Sequence, residues 1–493
     1  MPTEIRTIQQ AYRFALDPTP AQERMLRSHA GASRFAYNWG NARIIKALDA
    51  RKAEEAAGGE AKTKVPGHFD LCKQWTSWKD EHADDPEPAE GERRTSTAWV
   101  SENFVGTYQA ALRDAAKAWG DFFKSAKGER KGRRLGRPRF KKRGKARDSF
   151  QVHGGTLRIE SAGAGFRPKG ADKGATRDMV VLPKIGPVFL HESARKLRRR
   201  VDAGTARIVR GTIARESDGR WHIAITAEVR QEVRTGPSAR QRAGGIAGAD
   251  FGVRDIATLS DGTAIANPRH LEGALGKLAK AQRALSRCEK DSAGRRKAVA
   301  RVGRLHARVR HLRLDGLHKA TSGLVHSRAV LAVEGFDVQE TARYRRRGKA
   351  DPGKYRENVP ARVRADRNRA LADTGIGIAR WQLQSKGAWY GCQVLVMDKH
   401  APTGRTCSAC GTAKAKPVPP ADELFTCEAC GSMMPRRVNT ARALALRARV
   451  AVTVAPSTGE TLNARGGDVR PGAARGNRQP PLKREASTSP RAG

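Results

Sequence analysis

Two short cysteine turns, Cys407-Ser-Ala-Cys410-Gly411 and Cys427-Glu-Ala-Cys430-Gly431, constrain this chain more than any other feature. Sixteen residues separate them. The glycine after each pair lets the backbone of a knuckle turn around a metal. Four thiolates so spaced suit a closed tetrahedral Zn2+ site, and a site with no open position is structural. Cys72, Cys288 and Cys392 stand alone in sequence and are expected to pack rather than ligate. Seven cysteines with four of them paired this way indicate a reducing compartment rather than a secreted disulfide scaffold.

Charge narrows the partners. Lys and Arg number 95 against 50 Asp and Glu, a net +45. Such an excess favours a polyanion, with nucleic acid first and an anionic membrane second. No apolar run reaches the length needed to span a bilayer. The opening Met-Pro-Thr-Glu-Ile-Arg has no apolar segment of the signal-peptide kind. A cytoplasmic protein of several domains is the expectation.

Residues 246–263 run from small and apolar residues into Asp250, then through Ile256–Leu259 to Ser260-Asp261-Gly262. Asp-Gly is a hairpin signal, so Asp250 is expected on the first strand of a hairpin in a mostly buried sheet. A carboxylate there is costly unless it is paired or binds a metal, although aspartate is also a common turn residue. Glu334 ends a second buried strand, Ala329–Val333, beyond a helical insertion. Carboxylates on neighbouring strands can hold two Mg2+ or Mn2+ ions for phosphodiester hydrolysis, which points to an RNase H-like fold.

The rest of the chain is read in order. Residues 5–16 predict a strand; Thr19 then caps a helix with Pro20 at its first position. Two short helices are expected to follow, broken near Gly31. Residues 51–95 read as a loop or insertion with an apolar patch at Leu71, Trp75 and Trp78, and a helix is expected over 97–126. Residues 124–147 hold 13 Lys or Arg, among them Arg133, Arg134, Arg137, Arg139, Lys141, Lys142 and Arg143, and suggest phosphate contact. Strands are expected at 149–152, 157–159, 179–182 and 188–190, followed by a hairpin around Asp218-Gly219. They could close a small β-barrel or form an open sheet. Residues 268–326 predict an antiparallel helical hairpin separated near Ser292-Ala293-Gly294. Residues 339–366 read as a loop, 367–387 as one helix and Cys392–Val396 as a strand ending at Asp398. From Ala455 the composition cannot support a core, so a disordered basic tail is expected.

Taken together, these segments resemble the TnpB (OrfB) family of insertion-sequence proteins, relatives of the type V CRISPR effectors. Tyr12-Arg-Phe-Ala-Leu-Asp-Pro-Thr-Pro-Ala-Gln22 and Ser33-Arg-Phe-Ala-Tyr-Asn-Trp39 resemble its N-terminal segment, and Val181–Val188 its β-barrel region. Gly248-Ala-Asp250-Phe-Gly-Val253 resembles the first RuvC motif, Val333-Glu334-Gly-Phe336 the second, and Thr406–Gly431 the embedded zinc ribbon. The resemblance implies an α+β multidomain protein: a wedge-like β-barrel and a helical recognition domain, then an RNase H-like RuvC domain. The implied boundaries are 1–148, 149–240, 241–400, 401–434 (zinc ribbon), 435–453 (last RuvC segment) and 454–493 (tail). It also implies a guide RNA and a double-stranded DNA target as partners, Mg2+ in an active centre, and association with the bacterial nucleoid when DNA is bound.

One position departs from the family. Its members follow the second knuckle with Asp-Arg-Asp-x-Asn-Ala-Ala, where this chain has Pro435-Arg436-Arg437-Val438-Asn439-Thr440-Ala441. The third metal-binding carboxylate falls at Arg437, with Asn439 keeping the register. Arginine cannot ligate a cation and carries a permanent charge. Asp250 and Glu334 are then remnants of a catalytic set, unless Asp398, Asp422 or Glu423 substitutes in space. Three readings follow: a guided DNA-binding protein with a weak or dead nuclease, an active nuclease with a rearranged metal site, or a non-enzymatic RNA-binding protein.

Overall fold

Strand β1 (Thr3–Asp17) runs until Asp17-Pro18, and Thr19 starts the first helix, α1 (Pro20–Ala56), in a capping box. The Thr19 hydroxyl accepts from the Gln22 amide, and the Gln22 side chain accepts from the Thr19 amide. The computed structural model describes residues 3–85, 97–130, 132–161, 177–335, 361–398, 401–415, 418 and 422–454. They form two compact units, one of residues 7–231, the other of 232–454 with 3–6.

In the first unit, α1 does not break at Gly31; it is one helix of 37 residues. A glycine inside a helix costs only about 1 kcal/mol against alanine. The buried stripe Leu26, Ala30, Ala36, Tyr37 and Ile44 spans Gly31 and offsets that cost. The expected loop over 51–95 is also corrected: it contains the end of α1 and a helix, α2 (His68–Glu81). Leu71, Trp75 and Trp78 lie at i, i+4 and i+7 on it, and Leu71 and Trp75 are buried. The helix expected at 97–126 is split into a 3-10 turn (Ala98–Glu102) and α3 (Val105–Ala126). At the break, the Phe104 amide donates to His29 Nε2 and the Ser28 hydroxyl to Asn103 Oδ1. The α3 residues Tyr108, Leu112, Ala115 and Trp119 pack with the α1 and α2 apolar residues in one core.

The strands of this unit are β2 (Ser149–His153), β3 (Arg158–Ser161), β4 (Asp178–Leu182), β5 (Gly186–Leu190), β6 (Ala206–Arg215) and β7 (Trp221–Arg234), with a short helix α4 (Arg195–Asp202) before β6. The sheet order is β2-β6-β7-β1-β5-β4-β3. Asp218-Gly219 turns β6 into β7, with Gly219 at φ +87°. Phe150 and Val152 near one end of this order and Val180 and Leu182 near the other share one core with Leu16, Ile213 and Ile223. The sheet therefore curls around its own apolar face, although among the described residues β2 and β3 share no ladder. Helix α4 is not evident from its basic sequence. Leu197 anchors it in the core, and the buried Asp178 accepts hydrogen bonds from the Ser193 hydroxyl and Ala194 amide just before it.

The second unit is built on a five-stranded sheet. Its elements are α5 (Ala239–Gly244), β8 (Ile246–Phe251), β9 (Asp255–Leu259), β10 (Ala264–Ala266), α6 (Leu275–Ser286), α7 (Ala293–Ser327), β11 (Val330–Glu334), α8 (Ala361–Thr374), α9 (Ile376–Tyr390), β12 (Gln393–Met397), β13 (Leu424–Thr426), β14 (Met433–Pro435) and α10 (Arg436–Val454). The sheet order is β10-β9-β8-β11-β12, with β11 parallel to both β8 and β12. The Asp261-Gly262 turn closes β9 onto β10, while Gly252–Arg254 joins β8 to β9. The helix expected at 367–387 is two helices, parted at Gly375 with φ +63°. Residues 361–366, expected in a loop, open α8; Phe336, the rest of that loop and the tail from Ala455 lie outside the described residues. Among the described residues no helix is long and apolar enough to cross a membrane.

The two faces of this sheet differ. Ala247, Ala249, Leu331, Val333 and Val394 pack with Leu324 and Val325 of α7 and Leu383 of α9. Val330, Ala332 and Leu395 pack with Leu444 and Ala448 of α10 on the other face. Helix α10 approaches β8 so closely that a Cβ on Gly248 would lie 1.9 Å from the Ala441 carbonyl oxygen. Gly248→Ala should therefore destabilise the protein by at least ~2 kcal/mol, by overpacking against backbone. Gly120→Ala, in open space on α3, should stabilise it by up to ~1 kcal/mol. Denaturant unfolding of both variants checks the contact; equal shifts would remove it as a constraint.

Candidate functional site

Strand alternation puts Asp250 and Glu334 on the face that α10 covers. In β8, Ala247 and Ala249 face α7 and α9, so Gly248 and Asp250 face α10. In β11, Val330 and Ala332 face α10, and Glu334 continues their row. The parallel register pairs Val333 with Ala249, so Glu334 stands beside Asp250 on the next strand. Both carboxylates are half-buried. Burial pushes the Asp250 carboxyl up to about 6; the Arg437 and Arg436 charges oppose the rise and the Glu334 charge adds to it. Burial also raises the Glu334 carboxyl, opposed by the Thr403 hydroxyl, which donates to Oε1 at 3.2 Å.

Arg437 enters from the first turn of α10. Its guanidinium lies against the backbone of Gly252, where a Cβ would fall 2.0 Å from Nη1. That Nη1 is buried with no hydrogen-bond partner. Arg436 is committed elsewhere: its amide donates to the Glu423 carbonyl at 2.8 Å and its Nε to the Asp422 carbonyl at 3.1 Å. Of the three acids that could stand in for a third ligand, Glu423 forms an exposed ion pair with Arg254. Asp422 contributes its carbonyl to Arg436, and Asp398 follows Met397, which registers with Glu334.

Next to this centre the four cysteines meet. Their sulfurs all lie within 4.8 Å of one another, with Cys407 to Cys430 at 3.8 Å and Cys410 to Cys427 at 3.6 Å. Zn–S bonds of about 2.3 Å in a tetrahedron require sulfurs roughly 3.8 Å apart, so the donor set fits zinc. The turns are alike. The Cys407 amide donates to the Thr412 carbonyl and the Cys427 amide to the Ser432 carbonyl, both at 2.9 Å. Gly411 and Gly431 take φ of +81° and +69°. Hydrogen bonds from Thr412 hold the Cys410 thiol well below its usual range, which favours the thiolate a metal needs. Buried Asn439 of α10 joins this knuckle to the sheet: its Oδ1 accepts from the Ser408 amide and its Nδ2 donates to the Thr406 carbonyl, both at 2.8 Å. Sequence reasoning missed the roles of Thr403 and Asn439 as partners; their hydrogen bonds span tens of residues and leave no local pattern.

The basic run is ordered by its own contacts over the described residues 132–147. Asn38 brackets the Lys141 backbone with hydrogen bonds of 2.7 and 2.9 Å, and the Leu135 amide donates to the Ser125 hydroxyl at 2.9 Å. Lys141 turns inward, its Nζ 3.7 Å from the centre of the Tyr37 ring, and burial lowers its pKa. Arg137 lies over Trp119 at 5.5 Å. Arg133, Arg134, Arg139, Lys142 and Arg143 are exposed, and among the described residues they enter no ion pair. Two of the seven candidates, Arg137 and Lys141, lie against aromatic rings, and of these two Arg137 is still exposed.

Comparison with known proteins covers most of the chain. A family profile described as "Probable transposase" matches residues 224–345. A "Helix-turn-helix domain" profile matches 7–53, and a "Cas12f1-like, TNB domain" profile 378–444. The chain is 31% identical over 445 residues to "Putative RNA-guided DNA endonuclease Rv2885c" of Mycobacterium tuberculosis, covering 88% of this chain and 86% of that protein. It is 29% identical to "Putative RNA-guided DNA endonuclease InsQ" of Escherichia coli, covering 88% and 90%. The "Cryo-EM structure of the Cas12f1-sgRNA-target DNA complex" aligns with a TM-score of 0.39 at 12% identity, over 89% of this chain and 99% of that one.

Two outcomes follow from the geometry. Asp250 has a folded pKa of about 6 against an ordinary 3.8. Its contribution to stability is full below pH ~4 and is lost as pH rises through 6, up to ~3 kcal/mol. Asp250→Asn should thus match wild type near pH 4 and exceed it at neutral pH by up to that amount; thermal unfolding at both pH values checks this, and a pH-independent gap would contradict it. Cys407→Ser should abolish a zinc content of about one ion per chain and lower the unfolding temperature, read by metal analysis and calorimetry.

Proposed function

The chain belongs to the TnpB (OrfB) family of RNA-guided DNA endonucleases, and we propose that it acts as an RNA-guided DNA-binding protein whose nuclease centre is silenced by Arg437. The observation that carries this reading is the guanidinium seated on Gly252, within electrostatic reach of Asp250, where the family places its third carboxylate. Two carboxylates with a guanidinium do not fit a centre for two divalent cations, since the added charge repels the ions and cannot ligate them. Asp250 and Glu334 remain as a carboxylate pair without the third member. Glu423 is drawn off by Arg254, which weakens it as a substitute.

In this reading residues 1–148 form the recognition domain and 149–240 the wedge, while 241–400 and 435–453 form the RuvC domain around a zinc ribbon at 401–434. The zinc is structural; Cys407, Cys410, Cys427 and Cys430 hold it and thereby fix the loop carrying Thr403. Guide RNA and target DNA contact the exposed cations of the strap, Arg133, Arg134, Arg139, Lys142 and Arg143. Helix α7 adds a second track: Lys297, Arg301, Arg304 and Arg308 are exposed and recur at helical spacing along one line. These residues bind the phosphate backbone and carry no sequence information, which the guide supplies by base pairing.

The test is made on the complex purified with its co-expressed RNA. With a matching DNA and Mg2+, the native complex should bind without cutting, and Arg437→Asp should cut. Cutting by the native complex would sink the proposal. Replacing Arg139, Lys142 and Arg143 by alanine should reduce the slope of log affinity against log salt by about 3, near 0.9 per phosphate contact. Lys141→Ala should instead lower the unfolding temperature, because that side chain is spent on Tyr37.

A further inference from the structure

Asp250 and Glu334 stand side by side and half-buried, and among the described residues neither forms an ion pair. Glu334 has the Thr403 hydroxyl, a neutral donor. Two adjacent carboxylates in such a place need positive charge nearby. The fixed cations within electrostatic reach of Asp250 are Arg437 and Arg436, both on the first turn of α10. The N-terminus of that helix adds its own partial positive charge. Arg436 is bound to the carbonyls of residues 422 and 423, whereas Arg437 keeps a buried Nη1 without a partner. Gly252 makes room for it, since any side chain there would displace the guanidinium.

We infer that Arg437 is a resident counter-cation for Asp250, so that this centre carries compensating charge within the chain and neither takes up nor requires a divalent ion. The inference deepens the silenced-nuclease reading and rests on it. Exchanging a carboxylate for a guanidinium moves the local charge by two units toward positive. Asp250 then has a nearby cation that cannot dissociate, cannot exchange ligands and offers no open coordination position. The protein unit is complete in metal-free buffer apart from the zinc knuckle, whose soft thiolates do not compete for hard cations.

The experiment uses the full zinc-loaded chain without nucleic acid, with Mn2+ as the probe. Wild type should leave added Mn2+ free by electron paramagnetic resonance and unfold at the same temperature with Mn2+ or with a chelator too weak to strip the zinc. Arg437→Asp should bind Mn2+, unfold earlier without it and recover several degrees with it. Gly252→Ala keeps the charge but pushes the guanidinium away, against a flexible side chain that can yield. It should also unfold earlier without metal and regain part of the loss with Mn2+. Uptake of Mn2+ by wild type with a rise in its unfolding temperature would overturn the inference. So would a Gly252→Ala protein indistinguishable from wild type in both buffers, which also decides the matter if Arg437→Asp does not fold. Failure of guided DNA binding would instead fell the functional reading while leaving the Mn2+ result intact.

Discussion

Helix α10 can lie on β8 only because residue 248 has no side chain. The Ala441 carbonyl and the Leu444 Cβ occupy the space a Cβ would need. This single close approach sets the geometry of the candidate centre. It brings the first turn of α10 to the end of β8, where Asp250 sits, and places Arg437 over Gly252. It also puts Asn439 against the knuckle backbone, where its side-chain amide oxygen accepts and its nitrogen donates. A small displacement of the helix would part the guanidinium from Gly252 and the knuckle from the sheet together.

The electrostatics follow from that packing. A half-buried pair of carboxylates resists ionisation, and the elevated Asp250 pKa expresses the cost. Near Asp250 the chain places the Arg437 guanidinium, whose charge opposes that rise. In the proposed silenced-centre reading, the substitution that removes a ligand also relieves part of the repulsion between the carboxylates.

The parts of this arrangement that were legible in the sequence are those with short-range signatures. Thr19 and Gln22 form a cap within four residues of chain, and the cysteine turns announce themselves by spacing and glycine. Arg437 is singled out by counting beyond the second turn, and the structure sets its guanidinium against Gly252. Readings failed where tertiary packing overrode local composition. Gly31 reads as a break, yet the buried stripe on either side carries α1 through it. Helix α2 hides among Gly, Pro and Lys, although Leu71, Trp75 and Trp78 hold its period. Lys141 has the same composition around it as Lys142, and only the Tyr37 ring distinguishes the inward side of the strap. Thr403 has no local mark at all, because its partner lies 69 residues earlier.

The knuckle and the carboxylate centre share a short piece of backbone. Thr403, which donates to Glu334, stands four residues before Cys407; the Thr406 carbonyl and Ser408 amide, which flank that cysteine, are held by Asn439. Zinc binding folds such a knuckle outright, because its small core of Cys407, Phe425 and Cys427 cannot supply the stability alone. The four thiolates thus do more than close a loop. They hold the donor that tempers Glu334 on one side, and through Asn439 the helix turn that bears Arg437 on the other. On the proposed reading, an arginine at residue 437 leaves that scaffold intact, since neither the thiolates nor Asn439 bonds to it. In that reading, a chain of this family that lacks the third acid keeps this scaffold, which is the condition for a protein that holds DNA without cutting it.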